Sequence, residues 1–380
     1  MKKTLIALAA IAAAAGAHAQ SSVTLYGVVD AFANKTENKV TNAAGVTTKL
    51  SQNKVDGSGL SSSRWGLRGS EDLGGGLSAI FNLEGGFTID NGAFNNNQGS
   101  TNTTTLFGRQ AWVGLKGGFG QVTLGRNYSA YDDFHGQIDH NYDSNTFAVW
   151  GNVSGTGIQD YVNRVNNSIK YESPVFGGFS GKLGYGFGED KTASASASSN
   201  LNAQLKYANG PLVVGYAYQK EKQAANSSTA TPPTAANLFA GTNVTTANGF
   251  GSVANGANSL KDTRKYHLIG GSYDFGVAKL VGSYNQAKNS AGTKDKDYQV
   301  GVSVPFGAFA IAAGYAHAKS DATLAAGGRN DGSGYSLLGT YDLSKRTTVY
   351  AGYLAMKTEF ANGSIEGKRT LGGAGIRHTF

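Results

Sequence analysis

The chain has 380 residues with 55 Gly, 19 Tyr, 18 Phe, only 5 Pro and no Cys. So much glycine argues against a helical or α/β enzyme, since each glycine weakens a helix by about 1 kcal/mol. Without cysteine there is no disulfide scaffold, thiolate zinc site or thiol nucleophile. The formal charge of +8 is spread singly along the chain rather than clustered, which argues against nucleic acid as a partner.

Taken in chain order, Lys2 and Lys3 precede an apolar run from Leu5 to Ala17, and Ala17-His18-Ala19 completes a small-x-small cleavage pattern. Residues 1–19 are therefore expected to be a secretory signal peptide, and 20–380 the mature protein. Losing Lys2 and Lys3 lowers the formal charge from +8 to +6. No later apolar run reaches the roughly 18 residues of a membrane helix. Instead, period-two alternation recurs to the C-terminus. Tyr298, Val300, Val302 and Val304 alternate with Gln299, Gly301 and Ser303, and Leu183, Tyr185 and Phe187 with Lys182, Gly184 and Gly186. One apolar and one small or polar face per strand suits a barrel with lipid outside and water inside.

The pattern predicts sixteen strands, starting near 23, 61, 77, 106, 120, 166, 180, 199, 212, 264, 277, 296, 308, 333, 347 and 370. Short connections such as 73–76, 209–211 and 305–307 alternate with long polar ones, including 35–60, 88–105, 128–165 and 223–263. Such alternation fits an antiparallel transmembrane β-barrel with both termini at its periplasmic rim. Aromatics near the strand ends, among them Tyr26, Phe32, Trp65, Phe107, Trp112, Tyr207 and Phe380, suit the membrane interface.

Charge then marks a candidate pore. Arg64 and Arg109 are each expected about four residues below an outer strand end, with Arg126 late in the next rising strand and Arg164 at the start of the following descent. Arg64 and Arg68 have the parity opposite to Trp65 and Leu67, so both face the lumen if those two face lipid. An arginine on the lipid face at mid-depth would cost about 2–4 kcal/mol. The third long connection carries Asp132, Asp133, Asp139 and Asp143. His135 and His140 share it, but their spacing fits no standard zinc motif, and no nucleotide or hydrolase signature is present. Neither a cofactor nor a metal is expected.

Five stretches resemble the general trimeric porins of Gram-negative bacteria, the β-proteobacterial branch above all. They are SSVTLYGVVDAF at 21–32, SRWGLRGSEDLGGGLSAIFNLE at 63–84, GRQAWVGLKGGFGQVTLGRNY at 108–128, NRVNNSIKYESPVFGGF at 163–179 and GIRHTF at 375–380. The resemblance implies an outer-membrane homotrimer, set among outer-membrane lipid and lipopolysaccharide, through which ions and small hydrophilic solutes diffuse passively. It implies that the third long loop folds inward, that Arg64, Arg109 and Arg164 match a basic wall cluster faced by loop carboxylates, and that Phe380 is read by the barrel assembly machinery. The excess of positive charge favours moderate anion preference. A substrate-specific porin is the closest alternative, and a barrel adhesin or an outer-membrane hydrolase stands further off.

Overall fold

In the computed structural model, the described residues are 22–42, 44–94, 105–139, 144–154, 161–193, 196–222, 263–290, 292, 294–320, 329–360 and 366–380. The expected signal peptide, His140 and Asp143 lie outside them. The strands are β1 (Ser22–Thr41), β2 (Thr47–Gly57), β3 (Arg64–Gly74), β4 (Leu77–Gly86), β5 (Gln110–Gly117), β6 (Gly120–Tyr128), β7 (Arg164–Glu172), β8 (Phe179–Phe187) and β9 (Ser199–Asn209). The second half holds β10 (Leu212–Lys222), β11 (Thr263–Asp274), β12 (Lys279–Lys288), β13 (Lys294–Phe306), β14 (Phe309–Ser320), β15 (Arg329–Asp342), β16 (Thr347–Phe360) and β17 (Glu366–Thr379). Two short helices, α1 (Ala130–Gln137) and α2 (Val149–Ser154), lie between β6 and β7.

Every neighbouring pair is antiparallel, and β17 returns to β1 from Val28↔Thr379 to Thr41↔Glu366, which closes the ring. Closure leaves no unpaired edge to satisfy in lipid. The seventeen strand segments occupy sixteen wall positions, because β2 and β3 share one. β2 pairs with β1 over Ala31–Thr41, and β3 pairs with β1 over Ser22–Val28.

The first long connection expected at 35–60 is therefore mostly strand, and the turn between β1 and β2 spans only 42–46. Polar residues such as Asn34, Thr36 and Asn38 hid it, because they alternate inward from a tall outer hairpin rather than marking a loop. The seven short connections stand where the alternation put them. At two of them, Gly210 (φ 54°) and Gly276 (φ 81°) supply the left-handed backbone of the turn, a region that side chains disfavour.

Burial runs inside out. Val113, Leu124, Leu205, Ile269, Val300 and Leu337 are about half exposed on the outer face, whereas Thr123, Gln204, Gln219 and Gln299 are buried toward the lumen. This is the polarity of a barrel whose solvent outside is lipid. A girdle of exposed Phe119, Phe176, Phe179, Tyr273, Phe275, Phe306 and Tyr341 rings the short-turn end. Three of the aromatics expected at the interface instead point inward. The Tyr26 hydroxyl donates to Asn82 (2.8 Å), Phe32 packs against Phe147 and Tyr350, and Trp112 lies opposite Asn82 and donates to Gln110 (3.1 Å).

Phe380 stitches the seam beyond the end of β17. Its amide donates to the Gly27 carbonyl (3.1 Å), and its main-chain oxygen accepts from the Gly27 amide (3.0 Å). Its ring lies so close over Gly27 that a Cβ there would stand 2.3 Å from Cζ. Deleting Phe380 is expected to remove both bonds and this packing, lowering the yield of heat-modifiable barrel in the outer membrane. Unchanged yield on comparison gels would remove the role.

Candidate functional site: an arginine wall facing a docked loop

The segment between β6 and β7 folds into the barrel and brings its own core with it. Ser129 caps α1 by accepting from the Asp132 amide (3.1 Å), the standard means of satisfying a helix's first amides. α1 packs on β8–β10 and α2 on β13–β16. Phe134, Ile138, Phe147, Val149, Trp150 and Val153 are essentially fully buried between loop and wall. The wall makes room with glycine. A Cβ on Gly215 would meet Phe134 at 2.6 Å, one on Gly270 Ile138 at 2.5 Å, one on Gly334 Val149 at 2.7 Å and one on Gly352 Phe147 at 2.6 Å. The inward loop expected from the sequence is thus held by apolar burial.

Polar bonds fix the loop further on. Between β2 and β3 the chain breaks at Ser58, where φ is 72°. There the Asp30 carboxylate accepts from the amides of Gly59 (3.1 Å), Leu60 (2.9 Å) and Ser61 (2.8 Å), and from the Tyr350 hydroxyl. The exposed carbonyls of this break then take up the loop. Ser144 donates to the Gly59 carbonyl (2.6 Å), Thr146 to that of Ser58 (2.8 Å), and the Asn145 amide to that of Leu60 (3.3 Å). Trp150 donates to Asp297.

Opposite the loop, at the outer ends of β3–β7, the arginines form one connected array. Glu84, only 4% exposed, accepts from Arg109 Nε at 2.7 Å and lies 3.6 Å from Arg64 Nε. The Tyr128 hydroxyl accepts from Arg109 Nη2 and from Arg164 Nη2, both at 2.7 Å, and Arg164 also lies over the Tyr128 ring at 4.7 Å. Tyr26 joins Arg68 to the array. Its hydroxyl proton is shared between Asn82 and Glu84 (3.0 Å), and the Arg68 guanidinium sits 5.1 Å above its ring. Arg126 lies beside the array, donating to the Gly108 carbonyl (2.7 Å) and to Asn166 past a bulge at Gly125.

The structure brings Arg64, Arg68, Arg109 and Arg164 together, with two corrections. Arg64 opens β3 and Arg109 precedes β5, so both sit at the strand mouths rather than four residues down. The loop carboxylates also do not mirror the arginines as a group. Asp133 instead pairs with Lys170 (2.6 Å) and Lys182 (2.7 Å) on β7 and β8, and Glu172 pairs with the same two lysines (3.0 and 3.3 Å). The reason is position: α1 docks beyond β7, and Asp133 meets the first ammonium groups there. Asp132 accepts from Tyr161 (2.9 Å), and its charge reaches Arg109. Asp139 lies just beyond α1, next to Ile138, whose carbonyl accepts from Gln299. Glu84, Tyr128, Lys170 and Lys182 were missed. Their parity was readable, since Glu84 alternates with Leu83 and Phe81, and Lys170 with Ile169 and Tyr171.

Two groups on α1 have shifted protonation. Burial opposes the charge on Asp133, but Lys170 and Lys182 outweigh it and hold the carboxyl below the usual range. Burial alone pushes the His135 imidazole, stacked on Trp150 with centroids 3.9 Å apart, down to about 4. An undocked His135 would titrate near 6.5, so the undocked loop binds more protons between pH 6.5 and 4. Docking is then strongest above pH 6.5 and weakens by about 1.4 kcal/mol per unit as pH falls toward 4. Asp133 adds a further loss only below the ordinary carboxylate range. Limited proteolysis of the loop from pH 7 to 4.5 should show rising cleavage, flattened in His135→Phe. A pH-independent rate would contradict the buried neutral imidazole.

Comparison with known proteins matches residues 7–361 to the family model of Gram-negative porins. Outer membrane porin protein 32 of Delftia acidovorans is 36% identical over 300 residues, covering 76% of this chain and 70% of its own. An outer membrane porin of Bordetella pertussis is 33% identical over the full length of both chains. Among solved structures, an anion-selective porin from Comamonas acidovorans superposes with a TM-score of 0.69 at 29% identity, over 95% of this chain and all of the other. The trimer form of OmpT from Vibrio cholerae, 19% identical with a TM-score of 0.59 over 95% and 99% of the two chains, shares the fold. A match of this extent, on a closed barrel with a loop docked in its lumen, leaves one conclusion: the chain belongs to the Gram-negative porin family and is an outer-membrane porin, a channel and not an enzyme.

Proposed function

We propose that the channel passes small hydrophilic solutes with a moderate preference for anions, selected at the arginine array. The observation that carries this reading is the array's charge. Arg64 and Arg109 share one buried carboxylate, Glu84, Arg68 and Arg164 join them through Tyr26 and Tyr128, and on the adjoining β7 and β8 Lys170 and Lys182 meet Asp133 and Glu172. Arginine stays protonated throughout the physiological range, so the field is permanent. A fixed excess of one sign along a narrow aqueous path raises the local concentration of the opposite ion. The anion selectivity named for the similar Comamonas porin agrees with this reading. Liposome swelling tests it: sugar acids should enter several-fold faster than amino sugars of equal size, and the reverse order would contradict it.

Assembly as a homotrimer belongs to the same proposal. The β17–β1 seam carries exposed Val23 (66%), Leu25 (58%) and Ile376 (47%), with half-buried Val29 between them, an apolar patch near the termini that suits contact between copies. Crosslinking and light scattering in mild detergent should give a heat-labile trimer. A strict monomer would contradict it.

A further inference from the structure

Away from the array, Arg369 stands on the lumenal face of β17, only 3% exposed, with its charge unanswered. Its Nε is inaccessible to solvent and has no hydrogen-bond partner. Among the described residues only Asp56 lies near enough for its charge to be felt, and no ion pair joins the two. That carboxylate is already held by Lys54 and by the Asn34 amide, both at 2.9 Å. Lys54 and Asp56 cancel each other, which leaves the Arg369 charge over. Two polar neighbours are orphaned with it. Asn38 stands directly opposite Arg369 across the β1–β17 pair, and Thr358 lies on β16 two residues beyond Met356, the partner of Arg369 on its other side. All three side chains share the inward, buried parity, and Asn38 Oδ1 and Thr358 Oγ1 also lack any hydrogen-bond partner.

Buried polar atoms are nearly always bonded, and an unpaired buried charge is the most destabilising exception. Three such atoms on three adjacent strands point to one shared ligand. The guanidinium and the threonine hydroxyl offer donors, and a half-turn of the Asn38 amide presents a third. Around them Val40, Met356 and Leu371 are buried and apolar. One guanidinium balances one negative charge, and apolar walls cannot solvate a second. Water could bond the same atoms, but it would leave the charge uncancelled.

We propose that Arg369, Asn38 and Thr358 form a binding site for a small, singly charged, weakly hydrated anion of the halide class, separate from the array at which permeating ions are selected. The site adjoins the docked loop. The Val153 carbonyl, near the end of α2, lies 3.5 Å from where a Cβ on Gly332 would stand, and Gly332 is opposite Thr358. Occupancy therefore steadies wall and loop together rather than carrying current. The test uses the detergent-purified barrel, wild type beside Arg369→Met, which puts an unbranched apolar side chain in place of the guanidinium. At constant ionic strength sulfate is exchanged stepwise for bromide, and the loss of the heat-modifiable form is timed at one temperature. The wild type should be lost about tenfold more slowly once bromide reaches ten times its dissociation constant, whereas Arg369→Met should not respond. Anomalous diffraction from wild-type crystals grown in bromide should also place a peak within hydrogen-bond reach of Arg369 Nε, which keeps the site testable should the variant fail to fold. A wild type indifferent to the exchange, a variant that responds as the wild type does, or no anomalous peak beside Arg369 overturns the site. The bound anion cancels Arg369, so Arg369→Met should keep the wild-type reversal potential in KCl, and a fall in its anion preference would likewise overturn the proposal. A cation-preferring wild type would contradict the pore reading and leave this site standing, so the two failures are distinguishable.

Discussion

Glu84→Gln is expected to be the most damaging single substitution in the array. Glu84 is nearly inaccessible and holds two guanidinium groups, one of them, Arg109, itself only 6% exposed. Removing one partner of a buried ion pair costs about 3–5 kcal/mol, because the other charge stays desolvated and uncompensated. The glutamine oxygen keeps a hydrogen-bond acceptor, so the barrel should still assemble with a lower unfolding midpoint in urea. Without the carboxylate the lumen also becomes one charge more positive, so anion preference should rise while stability falls. A variant that loses stability with no change in selectivity would place Glu84 outside the ion path.

Arg109→Ser is expected to act in the opposite direction and to be better tolerated. Glu84 would retain the Tyr26 hydroxyl at 3.0 Å and Arg64 at 3.6 Å, so its charge stays partnered. The lumen, however, loses the central cation of the array. A unit charge about 8 Å from a passing ion changes that ion's energy by about 0.5 kcal/mol in bulk water and by about 2 kcal/mol at an effective dielectric of 20. Chloride and potassium are shifted in opposite directions, so the chloride-to-potassium permeability ratio should fall by at least about sixfold. Conductance should rise as the guanidinium leaves the aperture, and salt should mute the effect as the Debye length drops below about 8 Å.

The wall was legible in the sequence because lipid outside and water inside impose period two on nearly every strand. Parity alone placed Arg64 and Arg68 together, and the chain order of short turns and long connections fixed the antiparallel ring. The tall β1–β2 hairpin escaped because its inward residues are as polar as a loop's. Its break at Ser58–Ser63 is set by Asp30 reaching across the sheet, a contact that no local pattern reveals. The inward loop was legible from resemblance, but its partners were not. Which ammonium Asp133 meets depends on where α1 docks, and that is decided by the glycine gaps at Gly215 and Gly270 rather than by charge. Glycine spacing on the lumenal face, read against the apolar residues of the third connection, is the signal that would have found the docking site.

The central claim is that the Arg64–Glu84–Arg109–Tyr128–Arg164 array sets the ion preference of the pore. Its most direct test is the reversal potential of single channels in a planar bilayer under a KCl gradient, wild type beside Arg109→Ser. The account requires a chloride-to-potassium permeability ratio above one for the wild type and a clear fall toward or below one for the variant. A cation-preferring wild type, or an Arg109→Ser channel whose reversal potential does not move, would contradict it.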